Sequence, residues 1–381
     1  MRLVVLANVV WPEYGVEAGG TQHALAVADE LARAHDVAVV VPAFTTAAIG
    51  RRFPRLALLS TPSPSALLGS TIGTLLFSSV SWVARAGAVR GADGVLAASH
   101  FLGDVLPAGL LKPRRAAVIV HHLVEPPWRR SGPFVRNLLG FVHERLSLFV
   151  VRALAGALVT SSQHVREQLR RAGFRQPIVV TTNAPRPLSA APPPPETRVR
   201  GRVVVVGRLS PTKGLEMLVD AWAAVERAVS GATLHVVGDG DPHYRAALEA
   251  RARTAAPGGS IVFLGRVDET RKERELFEAA LFAFPSLEEG FGIALAEAMQ
   301  AALPSVTFDL PVFRELFTAG RVAVPVGDAG ALGAAIARLL NDDAARLALA
   351  AAALRGAGDF TWERAARRDL EAVELARRAT G

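Results

Sequence analysis

The sequence contains no cysteine. Disulfide staples, thiolate metal sites and cysteine nucleophiles are therefore excluded, and the absence fits a cytoplasmic setting. Aromatic residues are scarce at 6%, with 2 Tyr and 5 Trp. The chain thus lacks the interleaved aromatic platforms on which single-stranded nucleic acid stacks, and no nucleic-acid module is recognisable in it. Nor is there a clean membrane-spanning run. The nearest, residues 65–83, is broken by Ser, Gly and Thr and reads as a buried helix. At the amino end Met1-Arg2 leads straight into a short apolar run ending at Asn8. It is too short for a signal peptide and has no small-residue cleavage pattern, so it reads as a first buried strand.

What is present points to a folded α/β chain. Half of the 381 residues are hydrophobic and 20% are charged, which suits two domains rather than one core. The formal charge of +8 favours anionic partners such as nucleotides or phospholipid headgroups, although Arg scattered through an Ala-rich chain also accounts for it. Short β-branched runs predict buried parallel strands at residues 3–6, 37–41, 117–120, 157–160 and 178–181. A second set lies at 203–206, 234–237, 261–264, 281–284, 305–307 and 322–324. Helical stripes lie between them, as in Ala24, Val27, Ala28 and Leu31, and in Leu215, Leu218, Val219 and Trp222. Periodicity fails at residues 185–200, where Pro192 to Pro195 are consecutive. This stretch is expected to be an extended linker between a first domain, 1–184, and a second, 201–360. The last segment, 361–381, reads as a helix that either caps the second domain or returns to the first. Residues 134–151 mix Phe, Leu and Val with Arg136, His143, Glu144 and Arg145. They read as an amphipathic basic helix, packed on the first sheet or resting on an anionic membrane surface.

Three loops carry the chemistry. Glu17-Ala18-Gly19-Gly20-Thr21 precedes the first helical stripe, where paired glycines and a helix amino terminus would admit a phosphate. The pattern is not GxGxxG, so a dinucleotide is not indicated. The stretch 203–214, VVVVGRLSPTKG, places Arg208 and Lys213 after a buried strand, where open α/β sheets bind ligands and where a diphosphate needs neutralising. The stretch 284–299, FPSLEEGFGIALAEAM, holds Glu289 in a glycine loop and Glu297 on the following helix, off its apolar stripe of Leu295, Ala298, Met299 and Ala302. Two such carboxylates would grip hydroxyls at opposite ends of an extended ligand, with the amides near Gly292 and Ile293 facing its phosphates. Glu288 competes with Glu289 for that role. His121-His122 follows the strand at 117–120. Adjacent residues in an extended segment point apart, so a metal site is not expected from them.

The order Gly-Arg-Leu…Lys-Gly, Val-Gly-Asp-Gly and Pro-Ser-x-x-Glu-Gly-Phe-Gly, with Glu297 eight residues after Glu289, resembles the retaining glycosyltransferases of family 4. The resemblance implies the GT-B fold, two Rossmann-like doubly wound parallel-sheet domains facing each other across a cleft, with the last helix returning to the first domain. By position it implies that Glu289 and His121 act at the donor sugar, with His122 as the alternative to His121. Arg208, Lys213, Gly292 and Ile293 would then hold the diphosphate and Glu297 the ribose. Gly19, Gly20, Gly238 and Val267 complete the donor set, and Asp239-Gly240-Asp241 becomes a turn rather than a metal site. Two glycines usual in the family are replaced, by Ala184 after Asn183 and by Ala302 before Leu303-Pro304. The implied reaction is metal- and cofactor-independent transfer, with retention, from a nucleotide-diphosphate sugar to a glycan or lipid-linked acceptor. It would take place in the cytoplasm or at the inner face of the membrane. A nucleotide-sugar epimerase and a non-catalytic basic membrane-binding protein are the alternatives.

Overall fold

The computed structural model describes residues 1–10, 19–63, 78, 80–123, 126–129 and 134–379, without the side chain of residue 136. Glu17, Ala18 and most of the apolar segment 65–83 lie outside the described residues. The chain divides into two compact units, Met1–Ala184 with Thr361–Gly381, and Pro185–Phe360.

In the first unit a parallel sheet contains β1 (Arg2–Leu6), β2 (Asp36–Pro42), β3 (Ala57–Thr61), β4 (Gly94–Ala97), β5 (Ala116–Ile119), β6 (Ala157–Thr160) and β7 (Ile178–Val180). Its order is β3-β2-β1-β4-β5-β6-β7. Two of these strands, β3 and β4, do not stand out in the sequence. Residues of β3 are half-exposed rather than continuously buried, and β4 is four residues long and opens on Gly94. The helices are α1 (Gly19–Leu31), α2 (Thr46–Arg52), α3 (Ala86–Arg90), α4 (Leu102–Leu111), α5 (Phe134–Leu154) and α6 (Gln163–Arg171). Ala24, Val27, Ala28 and Leu31 of α1 are all buried against the sheet.

The second unit holds β8 (Val199–Val206), β9 (Thr233–Val237), β10 (Ile261–Gly265), β11 (Ala279–Phe284), β12 (Ser305–Phe308) and β13 (Arg321–Val324), all parallel, in the order β10-β9-β8-β11-β12-β13. Between and after them run α7 (Leu215–Ala228), α8 (Pro242–Ala255), α9 (Glu269–Glu278), α10 (Ile293–Gln300), α11 (Pro311–Leu316), α12 (Ala329–Asn341) and α13 (Asp343–Ala357). Trp222 on α7 is fully buried and donates its indole N–H to Ser260 at 2.8 Å. Residues 185–200, expected as a linker, cluster with this unit. Arg198 is buried there, donating to the carbonyls of Leu276 and Ala279 at 2.8 and 3.0 Å, and Val199 already belongs to β8.

The last helix, α14 (Trp362–Arg378), packs into the first unit, where Ala365, Ala366, Ala372, Val373 and Ala376 join the core of β1, β2 and α1. Both sheets reverse their strand order at one point, beside β1 in the first and beside β8 in the second. Open α/β sheets place ligands outside the carboxyl ends of the strands at such a switch.

Ala302, at the position where the resembling family usually carries glycine, has a φ of 51°. An L-residue in the left-handed region costs about 1–2 kcal/mol, and the unfolded-chain entropy of glycine offsets part of that. Ala302→Gly is therefore expected to stabilise the second unit by about 0.5 kcal/mol in urea unfolding, a shift in midpoint without a change in slope.

Candidate functional site

The second unit builds its site at the carboxyl ends of β8 and β11. After β8 the chain passes Gly207 and Arg208, makes a turn over Pro211–Lys213 and enters α7 through Gly214. A Cβ on Gly214 would lie 2.0 Å from the carbonyl oxygen of Pro285, so a glycine is what lets this turn rest on the loop after β11. The amide of Leu287 donates to the carbonyl of Thr212 at 2.8 Å and fastens the two loops together. Lys213 and Glu289 thereby meet in an ion pair with side chains only 19% and 11% exposed. Ser286 donates its hydroxyl to the same Glu289 oxygen at 2.8 Å, and the Lys213 ammonium stands 5.5 Å from the centre of the Phe284 ring. Arg208, exposed, lines a small cavity with Gly207, Lys213, Phe284 and Ser286.

Beside this cavity the chain after β9 runs along the chain after β8. The amide of Leu209 donates to Asp239 O at 2.9 Å and that of Gly207 to Val237 O at 3.0 Å. Within Asp239-Gly240-Asp241, Asp239 accepts from the amide of Gly240 and from Arg245, and Asp241 caps α8 by accepting from the amides of His243 and Tyr244. These are the bonds of a turn. Val267, half-buried, follows β10, whose Gly265 carbonyl accepts from the amide of Gly238 at 2.9 Å.

Gly292 caps the start of α10 and Ile293 opens it. On this short helix Leu295 through Met299 are all buried, Glu297 included, although Glu297 stands off the apolar stripe. The reason is Lys272 of α9, whose ammonium covers Glu297 at 2.7 Å and reaches Glu269 at 2.9 Å. Burial alone lowers the pKa of Lys272, but the two carboxylates outweigh it and the net shift is upward. Lys272 was not legible beforehand because Glu-Thr-Arg-Lys-Glu-Arg-Glu reads as a solvated helix face. No hydrogen bond joins Glu289 to Glu297.

In the first unit the structure brings Gly20 and His121 together. A Cβ on Gly20 would fall 2.7 Å from Nε2 of His121. That nitrogen lies 3.1 Å from the carbonyl oxygen of Ala98, which can only accept, so Nε2 carries the proton. Burial first, then the nearby His23, push the pKa of His121 down to about 3. The ring is therefore neutral at physiological pH and its Nδ1 is an acceptor. Gly19 is exposed at the start of α1, and His122 is half-buried. Two further groups escaped sequence reasoning. Asp104 of α4 is buried, accepts from the amides of Asn8 and Val9 at 2.7 and 3.2 Å and from Ser99 at 2.6 Å, and is pushed up to about 7 by burial. His23 of α1 meets Asp369 of α14 at 2.8 Å, with both side chains buried.

Residues 200–342 match the family described as glycosyl transferases group 1. The matched stretch lies within the second unit. Over 171 residues the chain is 35% identical to the phosphatidyl-myo-inositol mannosyltransferase of Mycobacterium leprae, covering 43% of this chain and 44% of that one. It is 30% identical over 179 residues to a glycogen synthase of Mycobacterium tuberculosis, covering 46% and 43% respectively. The chain thus spans less than half the length of these relatives in alignment. Among solved structures, the Anabaena protein HepE in complex with UDP and glucose superposes with a TM-score of 0.76 at 17% identity, covering 98% of this chain and 99% of that one. WaaG, a glycosyltransferase of lipopolysaccharide biosynthesis, gives 0.71 at 16% identity, covering 98% and 99%. These likenesses place the chain in the GT-B fold.

One surface in the first unit stands apart. Helix α5 exposes Phe134, Val135, Leu138, Leu139, Val142, Leu146 and Phe149, the last at 74%, and Trp128 just before it is 72% exposed. Arg145 lies on the same helix with its guanidinium 4.5 Å from the centre of the Phe141 ring. Among the described residues no helix is long and apolar enough to cross a membrane.

Proposed function

We propose that this chain is a retaining glycosyltransferase that moves a sugar from a nucleotide-diphosphate sugar to a hydroxyl of a lipid-linked or cell-envelope glycan. The observation that carries the reading is the Lys213–Glu289–Ser286 cluster at the switch point of the second sheet, inside the segment matched to glycosyl transferases group 1. In this reading Lys213 and Arg208, with the amides at Gly292 and Ile293, take up the charge of the departing diphosphate. Glu289 contacts the donor sugar, and Glu297, held by Lys272, accepts from the ribose hydroxyls. Gly238 and Val267 wall the base. From the first unit, Gly19 and Gly20 lie against donor phosphate, and His121 accepts a sugar hydroxyl at Nδ1. Being neutral, it is an orienting group rather than an acid. The reading assigns the charge neutralisation to these side chains and amides, with no cofactor and no metal. The test is to incubate the protein with UDP-, GDP-, ADP- and TDP-sugars, measure thermal stabilisation and nucleotide release, and read the anomeric configuration of the product by NMR. An inverted anomer would remove retention, and an epimer formed without acceptor would assign the site to an epimerase.

The exposed face of α5 supports a peripheral, lipid-directed version of this activity. Large apolar side chains with Arg145 and Arg152 on the same helix suit an anionic lipid surface, which covers the apolar groups and pairs with the cations. It also accords with acceptors such as those named for the mannosyltransferase relatives. Leu146→Asp with Phe149→Asp is expected to weaken binding to phosphatidylglycerol vesicles by about tenfold or more in a flotation assay, since each apolar side chain withdrawn from water is worth about 1.5 kcal/mol or more. Binding unchanged by the pair of substitutions would show that this face meets something other than lipid.

A further inference from the structure

Two buried groups in the first unit have no part in the transfer just described. His23 is 2% exposed on α1 and Asp369 is 0% exposed on α14, 346 positions away in the chain, yet Nε2 of His23 lies 2.8 Å from Oδ2 of Asp369. The other carboxylate oxygen, Oδ1, is buried without a hydrogen-bond partner. A buried pair with one oxygen unmet is a costly way to join two helices, and apolar residues of similar volume usually do as well or better. The joint does not need it. Ala24, Val27 and Ala28 of α1 already share a core with Ala365, Ala366, Ala372 and Val373 of α14.

What the pair does control is the attitude of the His23 ring. That ring stands edge-on to Trp362, with centroids 6.0 Å apart, and edge-on to His121, with centroids 5.9 Å apart and planes at 77°. His121 is in turn confined by the backbone at Gly20 and by the carbonyl of Ala98. The geometry points to Asp369 and His23 as positioning residues. Asp369 fixes the His23 ring, and the His23 ring edge holds His121 with Nε2 on Ala98 O and Nδ1 available to a substrate hydroxyl. In this way the carboxy-terminal helix helps set the reacting end of the first unit. The kinetic side of this inference rests on the transferase reading of His121. The orientation of the ring does not.

The deciding experiment compares the wild type with the double variant His23→Leu/Asp369→Leu, using protein labelled with nitrogen-15 in histidine. The double variant is expected to melt at or above the wild-type temperature, because it replaces a buried polar pair with one oxygen unmet by apolar side chains. The wild-type His121 resonances are expected to show one fixed neutral tautomer with the proton on Nε2, and the double variant an averaged pair of tautomers. With whichever of UDP-glucose or GDP-mannose the wild type turns over, kcat should fall by about tenfold with KM little changed, the size expected for loss of an outer-shell partner. A stable double variant with the wild-type His121 spectrum would overturn the inference and leave the pair structural. Should the double variant fail to fold, Asp369→Asn, which keeps the side-chain shape, decides by the same spectrum. If neither donor is consumed by the wild type, the transferase reading is in question while the histidine spectrum still answers for the pair.

Discussion

Lys213→Ala is expected to lower turnover of the preferred nucleotide sugar by on the order of 10²–10³-fold, the loss seen when one preorganised charge or donor is removed from a developing anion. The side chain is placed for this by its surroundings rather than by chance exposure. Its turn is fastened to the loop after β11 by the amide of Leu287, and its ammonium lies against Glu289 and over the Phe284 ring. The partial compensation of Lys213 by Glu289 has a measurable consequence. The two groups share one bond, so their truncations should not add. Lys213→Ala, Glu289→Gln and the double variant form a cycle in which the double variant is no slower than the worse single variant by more than about tenfold. The loss should fall mainly on kcat, with KM for donor rising less, because the phosphate charge grows as the bond to sugar breaks. Wild-type turnover in Lys213→Ala and Glu289→Gln alike would remove this cluster from the reaction.

The second large effect concerns folding. Gly238 has a φ of 135°, and a Cβ placed on it would lie 1.8 Å from the carbonyl oxygen of Gly207. Neither problem relaxes locally. The contact is with backbone, and that backbone is tied by the bond from the Gly207 amide to Val237 O. Strain of a sparsely populated backbone costs about 1–3 kcal/mol, and moving the chain after β8 adds the loss of at least one buried hydrogen bond. Gly238→Ala should therefore destabilise the protein by more than about 3 kcal/mol in denaturant unfolding. Gly207→Ala is the control, since a Cβ there meets nothing within 4 Å and its φ is not in the left-handed range. A Gly238→Ala protein as stable as the wild type would mean that these two chain segments do not run side by side.

Much of the architecture was legible because it is written in periodicity. The apolar runs at 3–6, 37–41 and 203–206 are strands buried on both faces, and the stripes ending at Leu31 and Trp222 are buried helix faces. Strands β3 and β4 escaped because neither has a continuous apolar run of useful length: the first is half-exposed and the second opens on glycine. The placement of Arg208, Lys213 and Glu289 in the segments after strands, and of Glu297 on the helix that follows, was also legible. Their partners were not.

By itself, then, the sequence determined that two parallel α/β units would form and which polar residues would stand at the carboxyl ends of their strands. Local apolar periodicity and turn chemistry are properties of neighbouring residues, so they can be read along the chain. Only the tertiary structure decided that Lys213 pairs with Glu289, that Lys272 covers Glu297, that Asp369 reaches His23, and that Gly20 leaves room for His121. Those pairings join residues 25 to 346 positions apart. They depend on strand order and helix docking, which no local window of sequence contains.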